Sequence, residues 1–391
     1  MNDITEKCTG CRACEQLCSQ KAISMIEDDE GFMVASIDQS KCIDCGLCQK
    51  RCPQNIAIKK SVACQALAVR LKDDELLFRS ASGGAFMGIA KAWIENGGVV
   101  YGVTYDSEWN ACHVCANSLN ELKKIQSSKY VQANTQHSYS DIKAKLMQGK
   151  KVLFSGTACQ VGGLKSFLKK DYDNLLTMDL ICHGVNSPLL FKKYIVWLEK
   201  QKNFKIKEYN FRSKLAGWAL NFSIKTDSKE KMHFCDVDPY YYRFLEGVTY
   251  RECCYECKYC TPGRVGDITI GDYWGIENEH PDFYDVRGVS CMLINTDKGL
   301  DVWKNFSSNF YYKETTFEKI SKHNSNLLKP TKRKDMVRDT IYHGIKDSDT
   351  WFEDSFAKTF QPSFKAKMKD LIPACLNNNT LLKLYIKKHL K

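Results

Sequence analysis

The chain has 391 residues, 43% hydrophobic and 26% charged, with a formal charge of +11 and twenty cysteines. This balance is that of an ordinary globular protein, so disorder is not the default, and the length calls for about two or three domains. No run reaches the ~20 apolar residues of a membrane span, and "MNDITEKC" lacks a secretory leader's basic start and apolar run, so a cytoplasmic protein is expected. Lysines are dispersed and often sit beside Asp or Glu. No nucleic-acid partner is therefore expected, and acidic redox partners or a phosphorylated cofactor suit the charge better. In a reducing compartment, so many cysteines point to metal or redox chemistry rather than disulfides.

The first element is a repeat. "CTGCRACEQLC" places Cys8, Cys11, Cys14 and Cys18 at C-x2-C-x2-C-x3-C spacing, and "CIDCGLCQKRC" places Cys42, Cys45, Cys48 and Cys52 identically. This is the bacterial ferredoxin pattern, in which the fourth cysteine of each run serves the other cluster. One 4Fe–4S cluster is thus assigned to Cys8, Cys11, Cys14 and Cys52, the second to Cys42, Cys45, Cys48 and Cys18. Pro53 follows Cys52, whereas Ser19 stands after Cys18; that proline shapes a turn and ligates nothing. Structural zinc uses paired hooks with four ligands in all, which two triplets and two singletons fit poorly. Segments 22–26 and 32–37 read as short strands, closing a domain of residues 1–60.

A second domain follows. "VACQALAV" alternates like a strand, "AFMGIAKAWIENG" has helical apolar spacing ending at Gly97–Gly98, and "GVVYGVTYD" reads as a buried strand. The turn "SASGGAF" presents Ser80, Ser82, Gly83 and Gly84 at a helix N-terminus, where free N–H groups favour a phosphate; an ordinary helix cap is the alternative. Neither G-x-G-x-x-G nor a Walker loop occurs, so a Rossmann dinucleotide site is not expected.

"GKKVLFSGTACQVGGLKSFLKKDYDNLLTMDLICHGV" reads strand, helix, strand: a βαβ unit with parallel strands. Cys159 follows the first strand and Cys182 ends the second, at the carboxyl edge where α/β sheets gather ligands. Two buried structural cysteines are the alternative. Further on, "RECCYECKYC" holds a C-x2-C hook, Cys254 and Cys257, flanked by Cys253 and Cys260. Hook and strand-end cysteines together supply four thiolates for a third cluster, with zinc on Cys254, Cys257, Cys260 and a neighbour as the alternative. "DITIGDYW" alternates like a strand and carries Asp267, Asp272 and Trp274. The final segment lacks motifs, and "LLKLYIKKHLK" reads as a packed basic amphipathic helix rather than a membrane anchor.

Taken in order, "SASGGAF", "GGVVYGVTYD", "SSKYVQAN", "GKKVLFSGTACQVGGLKSFL", "DLICHGV", "CYECKY" and "GDITIGDYWGI" resemble the beta-subunit family of coenzyme F420 hydrogenases and dehydrogenases, in the form with a fused dicluster ferredoxin domain. The resemblance covers residues 1 to about 300. It implies bound FAD, a 4Fe–4S cluster near the flavin, and hydride exchange with a deazaflavin or another small molecule. Carried over residue by residue, the cluster ligands are Cys159, Cys182, Cys254 and Cys257, with Cys253 and Cys260 as extra thiols beside them. Ser82, Gly83, Gly84, Lys129, Gly156 and Thr157 become candidates for the flavin site, and Lys129 and His183 for a charge and a proton relay in the chemistry. Relatives in the family include chlorophyll-derivative reductases and proteins encoded beside polysaccharide enzymes.

The fold expected is α+β / α/β: a ferredoxin-type dicluster domain (1–60), a mixed α/β flavin- and cluster-binding domain (61–310) and a helical C-terminal extension (311–391). The function expected is a flavin- and cluster-dependent oxidoreductase, because a flavin converts single-electron into hydride chemistry. Its partners would be a small-molecule hydride donor or acceptor and a ferredoxin or redox partner subunit. The competing expectation is an electron relay that feeds a partner enzyme, including one of polysaccharide biosynthesis, and turns over no small molecule itself. A zinc-bearing scaffold is a third.

Overall fold

The computed structural model describes residues 7–371. Strands β1 (Ile23–Glu27) and β2 (Met33–Ile37) pair antiparallel between the two cysteine runs. The turn joining them is tied by the Asp28 carboxylate, which accepts from the N–H groups of Glu30 and Phe32.

Ten of the remaining strands matter for position. These are β3 (Gln65–Leu71), β4 (Val99–Tyr105), β5 (Ala111–Ala116), β6 (Val152–Thr157), β7 (Leu175–Leu180), β8 (Glu208–Asn210), β9 (Asn221–Lys225), β10 (Glu230–Phe234), β11 (Ile268–Asp272) and β12 (Ser290–Ile294); β13 (Phe310–Thr315) closes the series. The main sheet has eight strands in the order β13-β3-β12-β11-β7-β6-β4-β5. Its centre, β11-β7-β6-β4, is parallel, and the pairs outside it are antiparallel. The expected βαβ unit is present: β6 and β7 are neighbours, joined by helix Ala158–Leu168. Such crossovers need a helix to return the chain to the same sheet edge.

Period-two alternation splits the core. Leu153 and Leu176 belong to one cluster with helices Ala85–Glu95 and Asp297–Phe306. Val152, Phe154 and Leu175 face the other side, against helices Ser138–Met147 and Ala158–Leu168. An aromatic cluster around Phe191, Tyr194, Tyr209 and Tyr240 forms a separate layer beneath the small sheet β8-β9-β10. That layer was not legible from the sequence, because its strands are short and partly exposed.

The dicluster domain packs on the main domain through close backbone contacts. A Cβ at Gly10 would lie 2.1 Å from Gln132 Nε2, and one at Gly31 would lie 2.3 Å from Leu189 Cβ. Both glycines have positive φ, so no other residue fits there without strain. The Gln132 amide pairs with the Met33 backbone through both its oxygen and its nitrogen. Buried Arg338 reaches back from the C-terminal segment to both Glu30 oxygens. The sheet does not end at residue 310: β13 pairs with β3 and comes from the segment assigned to the C-terminal extension. Its exposed Tyr311 and Tyr312 hide the alternation that marks a strand. The "LLKLYIKKHLK" tail lies outside the described residues. Among the described residues no helix is long and apolar enough to cross a membrane.

Candidate redox centre

Each cysteine run wraps with the same backbone signature. Gly10 and Arg12 in the first run, and Asp44 and Gly46 in the second, occupy matching positions and all have positive φ. A left-handed residue on each side of the second cysteine curls the chain so that its thiols converge. The fold then exchanges the fourth cysteines. Cys52 comes to Cys8, Cys11 and Cys14, near enough that their charges push on one another. Cys18 lines a small cavity with Cys42, Cys45 and Cys48, and Cys14 of the first set touches the same cavity. Burial pushes the Cys11 thiol up to about 12; a buried thiol at that value stays protonated unless a cationic centre draws the proton off.

The main domain assembles a third group. Thr157 caps helix Ala158–Leu168 in a box with Gln160, whose Oε1 accepts from Thr157 N–H at 3.0 Å. That fixes Cys159 in the first turn at the end of β6, with its sulfur 3.1 Å from Thr157 Oγ1. Cys182 follows the end of the adjacent β7. Helix Glu252–Tyr255 and the loop after it bring Cys253, Cys254, Cys257 and Cys260 to the same place. Six thiols therefore meet there, the four expected as ligands and the two extra ones, Cys253 and Cys260. Among the described residues no three His, Cys, Asp or Glu side chains converge on one point as ligands of a single ion.

Buried cations flank this group. Arg264 donates to the Tyr259 carbonyl at 2.9 Å, the Leu180 carbonyl at 3.2 Å and Asp179 Oδ1 at 3.2 Å. Its positive charge favours the thiolates of Cys182 and Cys257, and Arg251 does the same for Cys253. Cys253 also points its Sγ at the Cys8 carbonyl, 3.5 Å away.

A cavity of about 420 Å³ opens against this group, and Cys159 and Cys182 form part of its wall. Of the residues proposed from sequence, Ser82, Gly84, Lys129, Gly156, Thr157 and His183 line it. Gly83 does not. A Cβ there would lie 2.3 Å from both Ser290 N and Val69 O, so Gly83 serves close packing of the turn on β3 and β12. Gly84, with φ of 79°, is the N-cap of helix Ala85–Glu95, whose first residues also face the cavity. Lys129 Nζ donates to the carbonyls of Gln126 and Ser127 at 2.7 and 3.3 Å. Its burial pulls the amine down to about 7. Burial likewise lowers His183.

A further part of the cavity lining was not anticipated. Arg212 grips Asp272 with two bonds of 2.6 and 2.7 Å, and Trp218 Nε1 donates to the same carboxylate at 2.8 Å. Burial opposes ionisation of Asp272, but Arg212 outweighs it and holds the carboxyl below its usual range. Trp218 stacks on Trp274 at 5.0 Å, and Arg212 lies over Trp274. Asp272, at the end of β11, and Trp274, two residues beyond it, stood out in the sequence. Arg212 did not, because its partner is far along the chain and no local spacing joins them.

Residues 149–320 match the family model for the C-terminal part of the beta subunit of coenzyme F420 hydrogenase/dehydrogenase, and residues 7–56 match the 4Fe-4S dicluster domain. No curated protein matches the chain. Among solved structures, a chain of the F420-reducing NiFe hydrogenase complex from Methanosarcina barkeri is similar at 16% identity and a TM-score of 0.45, over 75% of this chain and 93% of that one. Residues 149–320 are thus a domain of the type found at the C terminus of the coenzyme F420 hydrogenase/dehydrogenase beta subunit, and residues 7–56 a 4Fe–4S dicluster domain, a pairing that points to iron–sulfur electron transfer.

Proposed function

We propose that the chain is an iron–sulfur flavoprotein exchanging electrons between three cubane clusters and, through FAD, an organic hydride donor or acceptor such as coenzyme F420. The ligand sets are Cys8, Cys11, Cys14 and Cys52; Cys42, Cys45, Cys48 and Cys18; and Cys159, Cys182, Cys254 and Cys257. The observation that carries this reading is the shared wall: Cys159 and Cys182 belong both to the main-domain thiol group and to the cavity. This supports reading the cavity as a site for an organic cofactor beside a site for a metal cluster.

The cavity's chemistry fits a flavin nucleotide. The start of helix Ala85–Glu95 supplies N–H groups without intrahelical partners, which suits a phosphate. Gln126 Oε1 is buried with no partner among the described residues, leaving an acceptor for a ligand N–H. Trp274 gives a flat apolar wall, held by its stack on Trp218. When bound, a flavin supplies the conversion between single-electron and hydride chemistry. Lys129, its amine pulled down to about 7, takes up its proton fully beside an anionic group and so favours one at the cavity wall. His183, neutral at pH 7 because burial lowers its pKa, accepts a proton at the cavity and returns it. At the far end Cys45 and Ile43 are exposed, so the second thiol set of the dicluster domain lies open to a soluble carrier or partner subunit.

The test is anaerobic. Purified protein should carry about twelve irons and release FAD on denaturation. After reduction by dithionite, one added acceptor, oxidised deazaflavin or another candidate, should reoxidise the flavin. Fully loaded clusters with no bindable flavin would leave the relay reading in its place. Stoichiometric zinc in a colourless protein would leave the scaffold.

A further inference from the structure

Tyr259 sits in "CKYC", between Cys257 and Cys260, and no part of the proposed chemistry uses it. Its side chain is 3% exposed, and its hydroxyl has no hydrogen-bond partner among the described residues. Buried tyrosine hydroxyls nearly always find a partner, so this one calls for an explanation.

Its neighbours indicate what the partner is. The hydroxyl lies over Gly162 of helix Ala158–Leu168, where a Cβ would come within 2.4 Å of it. The next residue, Gly163, abuts Cys11: a Cβ there would be 3.0 Å from both Cys11 Cβ and Sγ. Gly162 is also one turn from Cys159 on the same helix. The two adjacent glycines thus cut a notch holding Tyr259 and Cys11 side by side, between the first thiol set of the dicluster domain and the main-domain set. Cys159, Cys11, Cys257 and Cys52 are all close enough that their charges, after burial itself, raise the phenol's pKa. The ring is fixed from outside. Lys60 and Lys258 lie 5.6 and 5.7 Å from its centroid, and Lys60 Nζ donates to the Lys258 carbonyl at 2.5 Å. Lys258 Nζ reaches the carbonyls of Pro53 and Ile56, which clamps the end of the dicluster domain to this loop. Arg264 holds the Tyr259 carbonyl.

We infer that Tyr259 is a positioning and tuning residue for electron passage between the two domains: its hydroxyl donates a hydrogen bond to a sulfur of the main-domain centre, and its ring fills the gap to the Cys8–Cys11–Cys14–Cys52 centre. This rests on the proposed third cluster. A donor to a cluster sulfur stabilises the reduced, more negative state and raises the potential. Removing it lowers the potential of that centre alone.

The experiment compares the full chain and Y259F, loaded and purified without oxygen, by EPR-monitored redox titration. Y259F keeps the ring and should shift the main-domain equilibrium toward the oxidised form about tenfold, which is about 59 mV more negative for a one-electron centre. The other two centres should not move. G162A, whose methyl would displace the hydroxyl, should shift the same centre in the same direction. In the unmutated protein, electron–nuclear double resonance should find a proton on the main-domain centre that exchanges in deuterium oxide. No exchangeable proton there, an unchanged potential in Y259F, or a shift of a dicluster centre instead would overturn the inference. Failure of the underlying reading is recognised separately, because the unmutated protein would then hold about eight irons and give no third signal.

Discussion

Replacing Lys129 with methionine tests the cavity through its pH dependence. Lys129 is buried, and its amine is pulled down to about 7, against an ordinary value of about 10.4. An anionic cofactor beside it stabilises the ammonium and raises that value in the complex. Between pH 7 and the raised value, the complex holds one more proton than the free protein. Binding then takes up a proton, and affinity falls as pH rises, by up to tenfold per unit. From pH 7 to 9 this amounts to about 100-fold, or about 2.7 kcal/mol. Below pH 7 both forms are charged, and the dependence flattens. K129M should bind FAD more weakly at pH 6 and show no such slope between 7 and 9. The charge that acts on Lys129 is Glu208, which favours its ammonium; elsewhere on the cavity wall Arg212 and Asp272 stay paired, and burial lowers His183. Lys214, also pulled to about 7, is occupied by the carbonyls of Leu77 and Ser82, so K214M should keep the Lys129 slope. Quenching of FAD fluorescence across pH 6–9 reads all three proteins. A flat profile in the unmutated protein, or an equally steep one in K129M, would refute the reasoning.

Two further outcomes are expected. C182S in the full chain should lower iron from about twelve to about eight per chain and leave the dicluster signals intact; iron analysis with EPR decides, and retention of twelve would make Cys182 a structural thiol. R264L should strand Asp179, which is fully buried and, among the described residues, otherwise accepts only from Val265 and Gly266 N–H. Breaking such a pair costs about 3–5 kcal/mol, visible as a lower urea midpoint of the main-domain transition. R264L combined with D179N, which keeps a neutral acceptor for the Val265 and Gly266 N–H groups, should recover most of that loss, and a change under about 1 kcal/mol in R264L would show the pair to be dispensable.

The local chemistry was written into the sequence. Cysteine spacing marked both runs, and the structure brings Cys52 to Cys8, Cys11 and Cys14 as that spacing predicts, because the curl of each run is set over a few residues of backbone. The β6–helix–β7 unit was legible for the same reason: apolar alternation, the Thr157–Gln160 cap and the next apolar run are all local signals. So was the pairing of Cys159 with Cys182, since adjacent parallel strands must end at one edge. What only the tertiary structure decided lies between distant segments. Gly83 looked like part of a phosphate loop, but contact with Ser290 and Val69 makes it a packing glycine. Arg212 became a cavity residue only because the fold carries it to Asp272. Tyr259 came to stand between two thiol sets because two helical glycines and two lysines from separate segments leave room there. A sequence declares the contacts that a few residues of backbone can enforce; those made by folding remote segments together depend on the packing of the whole chain.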